Sequence, residues 1–130
     1  MTPRSAQSPA GKYLLVAEDD LFLRKVDDAT FRNQEGVAEL QLVADGKEAI
    51  VAIEKRRPDL MLLDLIMPNV DGFSVLEHIK EKGYGFPVIV YSNLQRDTDR
   101  DRCIALGAKD YIIKGELTLK ELRERVKKYL

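Results

Sequence analysis

Polar residues that can do chemistry follow four short apolar runs of the sequence. Glu18 and Asp19 follow the first run, Asp64 the second, Ser92 the third and Lys114 the fourth. Carboxylates held close together raise one another's pKa, and a bound metal ion reverses this effect. Oxygen ligands without histidine or cysteine suit Mg²⁺, which together with a lysine and a hydroxyl suits a phosphoryl group. If these residues lie side by side, they predict phosphoryl transfer in which one carboxylate attacks phosphorus.

Whether these residues meet depends on the elements that carry them. Strand-like and helix-like segments alternate along the chain, and the pattern predicts strands over 13–17, 37–43, 60–63, 86–91 and 109–113. Continuous apolar runs are typical of strands that are buried on both faces. Alternating polar and apolar residues in the second strand indicate an edge of the sheet instead.

Helices are predicted between the strands and after the last one. In the first helix, the apolar residues Phe22, Val26 and Ala29 recur at helical spacing. Strict alternation with short connections predicts a doubly wound α/β fold, with a five-stranded parallel sheet flanked by five helices. Ligands of such folds bind beyond the carboxyl ends of the strands, where the polar residues stand. Each polar residue alone also fits a turn, a cap or a solvated strand end, so only their joint placement favours a site.

Length and composition exclude several classes of protein. The 130 residues suit one domain, and 21 basic against 22 acidic residues give a net charge of −1. The lone Cys103 excludes an internal disulfide, a zinc finger and an iron–sulfur cluster. No apolar run reaches the ~20 residues that span a bilayer, and the balanced charge gives no bias toward nucleic acid. We expect a cytoplasmic domain over 12–130, preceded by a disordered tail over 1–11.

Four motifs together resemble the receiver domain of two-component response regulators, the CheY-like family. They are LVAEDD at 15–20, LLDLIMP at 62–68 with the following Asp71-Gly72, PVIVYS at 87–92 and GAKDYIIK at 107–114. The resemblance covers about residues 12–130. It implies a flavodoxin-like sheet of order 2-1-3-4-5 and a phosphoacceptor that is not an enzyme. The length of 130 residues leads us to expect a stand-alone receiver.

The resemblance implies a phosphorylation site with a metal site beside it. Asp64 matches the phosphoacceptor aspartate. Asp19 matches a direct Mg²⁺ ligand, and Glu18 matches a residue that acts on the metal through water. The backbone carbonyl of Ile66 matches a further protein ligand. Asp20 falls outside the acidic pair and is expected to cap the first helix.

The same resemblance implies a switch and its partners. Ser92 matches the hydroxyl that bonds the phosphoryl oxygen, Lys114 the lysine that pairs with a phosphoryl oxygen, and Tyr111 the aromatic residue whose rotamer follows Ser92. The implied donor is a sensor histidine kinase or a histidine phosphotransfer protein, and the target is a separate protein that the sequence does not name. We expect no direct binding to nucleic acid or membrane, and a monomer or weak homodimer.

Two other kinds of function stay open. A receiver fold can serve as a phosphorylation-independent adaptor, and Gly115 and Asn93 keep this alternative open because they depart from the family's pattern. The second alternative is an electron carrier or a phosphatase of similar fold. A flavin carrier is disfavoured because no phosphate-binding loop rich in Ser, Thr or Gly follows the first strand. An aspartyl-phosphate phosphatase would need an aspartate in place of Ile66.

The departures lead to specific expectations. Gly115 replaces the usual proline, and a cis bond before glycine costs about 2.5–4 kcal/mol, so the Lys114–Gly115 bond should be trans. The loop over 115–117 should therefore be more mobile or differently shaped, and Lys114 less exactly placed. Asn93 should cover part of the site. Ile66 and Leu94 stand where polar side chains can orient the attacking water, so the phosphorylated state should hydrolyse slowly.

The remaining polar residues have ordinary interpretations. His78 is expected on the surface, and Cys103 is expected to be partly packed and unreactive. The charged run over 96–102 is expected to form a solvated helix face with paired charges. The helix that carries it has few apolar anchors in its first turns, so we expect it to pack weakly.

Overall fold

Strands and helices alternate strictly in the structure, a computed structural model that describes residues 11–130. The predicted tail over 1–11 therefore lies outside the described residues, except for Gly11. The strands are Lys12–Ala17 (β1), Val37–Val43 (β2), Leu60–Leu63 (β3), Val88–Ser92 (β4) and Asp110–Ile113 (β5). The helices are Leu21–Phe31 (α1), Gly46–Lys55 (α2), Gly72–Lys82 (α3), Asp97–Ala105 (α4) and Leu119–Tyr129 (α5).

The five strands form one parallel sheet of order β2-β1-β3-β4-β5, as predicted. At the end of β1, Ala17 lies opposite Val43 of β2 and Leu63 of β3. Leu63 in turn lies opposite Val90 of β4. Because the strands are parallel and their ends are aligned, the residues that follow β1 and β3 stand at the same edge of the sheet.

A hydrophobic core lies on each face of the sheet. Successive side chains of β1 alternate between the faces, so that Leu14 and Val16 join one core while Leu15 and Ala17 join the other. Helices α1 and α5 cover the first core, and α2, α3 and α4 cover the second. Every residue of β3 is buried, which confirms the prediction that this central strand is covered on both sides. Within residues 11–130 no helix is long and apolar enough to cross a membrane.

The predicted apolar face of α1 is wrong. Phe22 is 70% exposed and Ala29 is exposed, whereas the buried residues of the helix are Asp27, Thr30 and Phe31. Both sets of positions have helical spacing, so the spacing alone does not distinguish them. The side chain of Phe31 is fully buried in the core. Since positions i and i+4 share a helix face, Asp27 turns inward together with it.

Four of the five helices begin with a side-chain cap. Asp20 accepts a hydrogen bond from the amide of Leu23, as predicted. Thr118 and Glu121 form a complete capping box at the start of α5. Helices α2 and α3 begin in the same way, each after an aspartate. Helix α4 begins after Arg96 and has no side-chain cap, which leaves its first turn less well held than the others.

Candidate functional site

Glu18, Asp64, Ser92 and Lys114 all stand at the carboxyl edge of the sheet. Glu18 follows β1, Asp64 follows β3, Ser92 is the last residue of β4 and Lys114 follows β5. The amide of Asp64 donates to the carbonyl of Ala17 at 3.1 Å, which extends the pairing of β1 with β3 by one residue. The fold therefore brings the predicted site residues to one edge.

Three carboxylates form a tight cluster at this edge. Glu18, Asp19 and Asp64 each offer a carboxylate oxygen, and the three oxygens lie within 4.8 Å of one another. Glu18 and Asp64 are buried, while Asp19 is exposed. Three negative groups at this spacing repel one another unless a cation compensates them. The oxygen-only donor set with one side open to water fits Mg²⁺, which keeps several of its water ligands.

Lys114 is the cation that the protein itself supplies to the cluster. Its Nζ lies 2.5 Å from Oε1 of Glu18 and 2.9 Å from Oδ2 of Asp64. Burial alone would lower the pKa of Lys114, but its hydrogen bonds to both carboxylates outweigh burial and raise that pKa. Burial also raises the pKa of Glu18, although the bond to Lys114 acts in the opposite direction. One ammonium thus balances only part of the charge of the three carboxylates.

The loop after Asp64 folds tightly over the end of β3. The amide of Ile66 donates to Oδ1 of Asp64 at 3.3 Å, and the amide of Gly72 donates to the carbonyl of Leu65 at 2.9 Å. A Cβ atom at Gly72 would stand 2.3 Å from the carbonyl oxygen of Asp64, so this close approach requires glycine. The backbone at Ile66 thus adjoins the Asp64 carboxylate, and its carbonyl as a metal ligand stays a prediction.

Ser92 and Tyr111 are both bonded to the backbone of Leu94. The Ser92 side chain is fully buried, and its Oγ accepts a hydrogen bond from the Leu94 amide at 3.3 Å. The Tyr111 hydroxyl donates to the Leu94 carbonyl at 2.8 Å, and burial raises the pKa of Tyr111 to about 12. The predicted switch residues are therefore connected through the single residue Leu94 in the loop that precedes α4.

Gly115 leaves Lys114 better placed than we expected. No cis peptide bond occurs within residues 11–130, so the Lys114–Gly115 bond is trans as predicted. Gly115 adopts a φ of +89°, a conformation that favours glycine. Lys114 nevertheless reaches both Glu18 and Asp64, and its side chain is only 10% exposed. The looser placement of this lysine is not found, and the expected cover from the exposed Asn93 stays a prediction.

The charged run before and within α4 is only partly solvated. Of the nine residues of α4, Asp99 and Cys103 are buried, which agrees with the expected weak packing. The expectation that the whole run is solvated is wrong for Asp99, which is buried and whose carboxylate pairs with the Arg96 guanidinium at 2.8 Å. Burial raises the pKa of Cys103 to about 11, which agrees with an unreactive thiol. His78 is half-buried, with its Nε2 3.0 Å from Glu54.

Two residues near the site were not identified from the sequence. Arg24 donates to the backbone carbonyls of Glu18 and Asp19. Asp27 is buried beneath the site, and its Oδ2 has no hydrogen-bond partner in the described part of the chain. The position of Asp27, four residues before Phe31, would have revealed it if the buried face of α1 had been assigned correctly. No sequence signal identifies the contacts of Arg24, because they depend on the path of the loop after β1.

Comparison with known proteins identifies a family and several relatives. Residues 14–127 match the family described as response regulator receiver domain. The chain is 35% identical over 120 residues to the Regulator of RpoS of Escherichia coli (strain K12), a match that covers 92% of this chain and 35% of that protein. It is 35% identical over 117 residues to the transcriptional regulatory protein CiaR of Streptococcus pneumoniae, with 90% and 50% covered. The chain thus spans between about a third and half of the length of these relatives.

Solved structures of similar fold include response regulator receivers, two of them described with a bound metal ion. The Francisella response regulator 1452 receiver domain superimposes with a TM-score of 0.83 at 28% identity, covering 92% of this chain and 96% of that one. The CheX-CheY-BeF3-Mg complex of Borrelia burgdorferi gives 0.80 at 30%, covering 89% and 87%. The Mn(2+)-bound form of the response regulator Rcp1 gives 0.77 at 27%, covering 90% of each chain.

Proposed function

The chain belongs to the response regulator receiver domain family, and on this basis we propose that Asp64 is its phosphoacceptor in a reaction that requires Mg²⁺. The family works in two-component signalling, which gives the general setting. The observation that carries the proposal is the bridge from Lys114 to both Glu18 and Asp64 within the acidic cluster. This bridge supports the proposal because a phosphoryl group on Asp64 would need a cation beside that carboxylate.

In the proposed reaction, a carboxylate oxygen of Asp64 attacks the phosphorus of a phosphohistidine on the donor protein. An oxygen–phosphorus bond forms, the nitrogen–phosphorus bond breaks, and the departing imidazole nitrogen keeps the electron pair. Glu18, Asp19, Asp64 and the Ile66 carbonyl would hold the magnesium ion. When bound, this ion neutralises the negative charge that otherwise repels the incoming phosphoryl group. Lys114 already lies at Oδ2 of Asp64 and is available to pair with a phosphoryl oxygen.

We assign the switch to Ser92 and Tyr111. The Ser92 hydroxyl now accepts from the amide of Leu94, and bonding to a phosphoryl oxygen would change this contact. Leu94 also accepts the hydrogen bond of Tyr111, so a shift at Ser92 changes the anchor of that side chain. Phosphorylation then shifts the equilibrium between two arrangements of the loop before α4. A downstream protein binds one of these arrangements more tightly than the other.

The proposed phosphodonor is a sensor histidine kinase or a histidine phosphotransfer protein. Leu21, Phe22 and Ile66 are 61%, 70% and 55% exposed, and they lie next to the acidic cluster in sequence. Exposed apolar residues beside a charged pocket suit docking of another protein more than binding of a small donor alone. We propose that the chain is a cytoplasmic phosphoacceptor, not an enzyme acting on a separate substrate, with no direct nucleic-acid or membrane contact. A monomer or weak homodimer is the state we propose.

The intact mass of the protein tests the phosphoacceptor directly. The chain is incubated with Mg²⁺ and acetyl phosphate, whose oxygen–phosphorus bond breaks as acetate leaves. We expect one phosphoryl adduct, its loss when Mg²⁺ is chelated, and its loss in Asp64→Asn. Asp101→Asn is the matched control, since Asp101 is an exposed aspartate of α4, and it should be modified like the wild type. An adduct that persists in Asp64→Asn contradicts the assignment of Asp64.

The second candidate is a phosphorylation-independent adaptor. It is favoured by Gly115, which replaces the usual proline after Lys114 and adopts a positive φ. Absence of any adduct with acetyl phosphate and with a range of phosphodonor proteins supports this alternative. The partner would then bind equally well to the wild type and to Asp64→Asn.

A further inference from the structure

Arg24, in the second turn of α1, reaches back to the loop that carries two of the three clustered carboxylates. Its Nη1 donates to the carbonyl oxygen of Glu18 at 2.9 Å and to that of Asp19 at 2.8 Å. One guanidinium nitrogen thus binds two successive backbone carbonyls, and a charged donor makes both hydrogen bonds stronger than neutral ones.

These two carbonyls have no other backbone partner in the part of the chain that the structure describes. The amide of Glu18 still pairs with Val43 of β2, but β1 ends at Ala17 and the chain then leaves the sheet. The hydrogen bond to the Glu18 carbonyl is partly buried, where an unpaired carbonyl is costly, whereas the bond to the Asp19 carbonyl is exposed. Arg24 therefore supplies the hydrogen bond that the Glu18 carbonyl no longer receives from a neighbouring strand once β1 has ended.

The position of the two carbonyls determines what Arg24 controls. The Glu18 carbonyl belongs to the peptide group before the Asp19 Cα atom, and the Asp19 carbonyl belongs to the peptide group after it. Holding both groups restricts φ and ψ of Asp19, the only two soft backbone angles of the residue. Within the described residues the exposed Asp19 carboxylate accepts no hydrogen bond that could aim it otherwise. Its direction toward the cluster thus depends on the backbone of Asp19, which places the Cα–Cβ bond, and on its own two side-chain torsions.

We propose that Arg24 is a positioning residue that aims the Asp19 carboxylate at a divalent cation. The inference rests on the proposed function, because it takes the acidic cluster to be a cation site. Arg24 acts through backbone carbonyls and not through the carboxylates, so it orients a ligand without competing for it. Groups that hold metal ligands in place typically contribute about 10–100-fold to metal affinity.

The test compares Mn²⁺ affinity, measured by electron paramagnetic resonance, in three versions of the full chain. Arg24→Met keeps the apolar stem of the side chain and removes the donors, and we expect the Mn²⁺ dissociation constant to rise about tenfold. Lys25→Met is the matched control, because it removes the same charge from the neighbouring exposed position of α1. We expect this control to bind Mn²⁺ within about twofold of the wild type.

A second readout separates positioning from a general loss of structure. With acetyl phosphate, Arg24→Met should need about tenfold more Mg²⁺ for half-maximal phosphorylation but reach a similar rate at saturating Mg²⁺. Arg24→Lys, which keeps a charged donor nitrogen, should recover part of the affinity. If Arg24→Met does not fold by circular dichroism, Arg24→Gln replaces it under the same criteria.

Three results would overturn the inference. The first is unchanged Mn²⁺ affinity in Arg24→Met, and the second is an equal loss in Lys25→Met, which would make the effect one of charge alone. Both leave the proposed function intact, because the wild type still binds the metal. The third is a wild type that binds no Mn²⁺, and this result overturns the proposed metal site together with the role of Arg24.

Discussion

Asp27 is a carboxylic acid in the core between α1 and the sheet. It is 5% exposed, and its Oδ2 has no hydrogen-bond partner within the described residues. Burial, together with the nearby charge of Glu18, raises its pKa from 3.8 to about 7, while Lys114 acts in the opposite direction. A buried carboxyl group of this kind is neutral in weak acid and becomes a poorly compensated charge above neutrality. It is therefore a local source of instability close to the proposed phosphorylation site.

We predict that Asp27 makes the protein less stable as the pH rises from about 4 to about 7. Over this range the unfolded chain loses the proton of Asp27 while the folded protein keeps it, so the folded state binds more protons and the free energy of unfolding falls. A pKa raised from 3.8 to about 7 corresponds to a loss of about 4 kcal/mol. The change would be complete slightly above pH 7.

Asp27→Asn should remove this dependence. We expect urea unfolding to show that the variant is more stable than the wild type at pH 8 and that the difference shrinks toward pH 4. The control is Asp28→Asn, because Asp28 is only half-buried and pairs with Arg32 at the surface. Parallel pH profiles for wild type and Asp27→Asn would contradict the prediction, whichever of the two proteins is more stable.

At the scale of elements, strands and caps were predicted well because their signals are local. The continuous apolar run of β3 and the cap that Asp20 forms on the amide of Leu23 are complete within a few residues of sequence. The boundaries differ slightly: β4 begins at Val88 and not at Phe86, since Pro87 has no N–H to donate to the sheet. The ends of the strands were nevertheless located well enough to bring Glu18, Asp64 and Lys114 together.

Features that depend on contacts between elements were not predictable in the same way. The inward face of α1 follows from the burial of Phe31 against the sheet, and helical spacing alone also fits the face of Phe22. The hydrogen bonds of Arg24 require the path of a loop, and the need for glycine at position 72 requires the distance between two elements. The periodicity of a sequence does not report the distance between two elements or the path of the loop that connects them, so neither feature could be predicted from it.

We predict that Gly72→Ala disturbs both stability and the site. The added Cβ would lie 2.3 Å from the Asp64 carbonyl oxygen and 2.7 Å from the Leu65 Cα, so the start of α3 must move away from the end of β3. Forced overpacking of this kind costs about 1–3 kcal/mol. Because the displaced atoms belong to Asp64 and its neighbour, phosphorylation by acetyl phosphate should also become slower. Urea unfolding and the rate of adduct formation measure the two effects.

Gly85→Ala is the matched control for this prediction. A Cβ at Gly85 would meet nothing within 4 Å, and its φ lies outside the left-handed range. We expect its stability to stay the same or to rise by up to about 1 kcal/mol, because alanine restricts the unfolded chain. Equal effects of the two substitutions on stability and on phosphorylation would contradict the importance of the close approach at Gly72.

Across the whole molecule, the least firmly held helix lies next to the proposed switch. Only Asp99 and Cys103 of α4 are buried, and no side chain caps the start of this helix. The loop before it is held at Leu94, which bonds to both Ser92 and Tyr111. Helices α2 and α3 have side-chain caps and four buried residues each, and α5 has a complete capping box, so these helices are held more firmly. A change at Ser92 should therefore move α4 more than any other helix.

This coupling predicts a pattern of hydrogen exchange. Saturation with Mg²⁺ and beryllofluoride, a mimic of the acyl phosphate, should change amide exchange in α4 and in the loop around Leu94 more than in α2. Tyr111→Phe removes the hydroxyl that binds the Leu94 carbonyl, so it should reduce the change in α4 by at least about half if this bond carries the coupling. Because Tyr111 does not touch the acidic cluster through a hydrogen bond, Tyr111→Phe should still form the phosphoryl adduct.

Tyr84→Phe is the control, since the Tyr84 hydroxyl also makes one hydrogen bond, to Glu54 of α2 and not to the loop before α4. Its α4 response to beryllofluoride should equal that of the wild type. A full response in Tyr111→Phe would show that the signal reaches α4 by another route, through the backbone from Ser92 alone. Loss of the adduct in Tyr111→Phe would place the tyrosine in the chemistry of the site and not in its transmission, because a residue that only relays a change leaves the phosphoryl transfer itself intact.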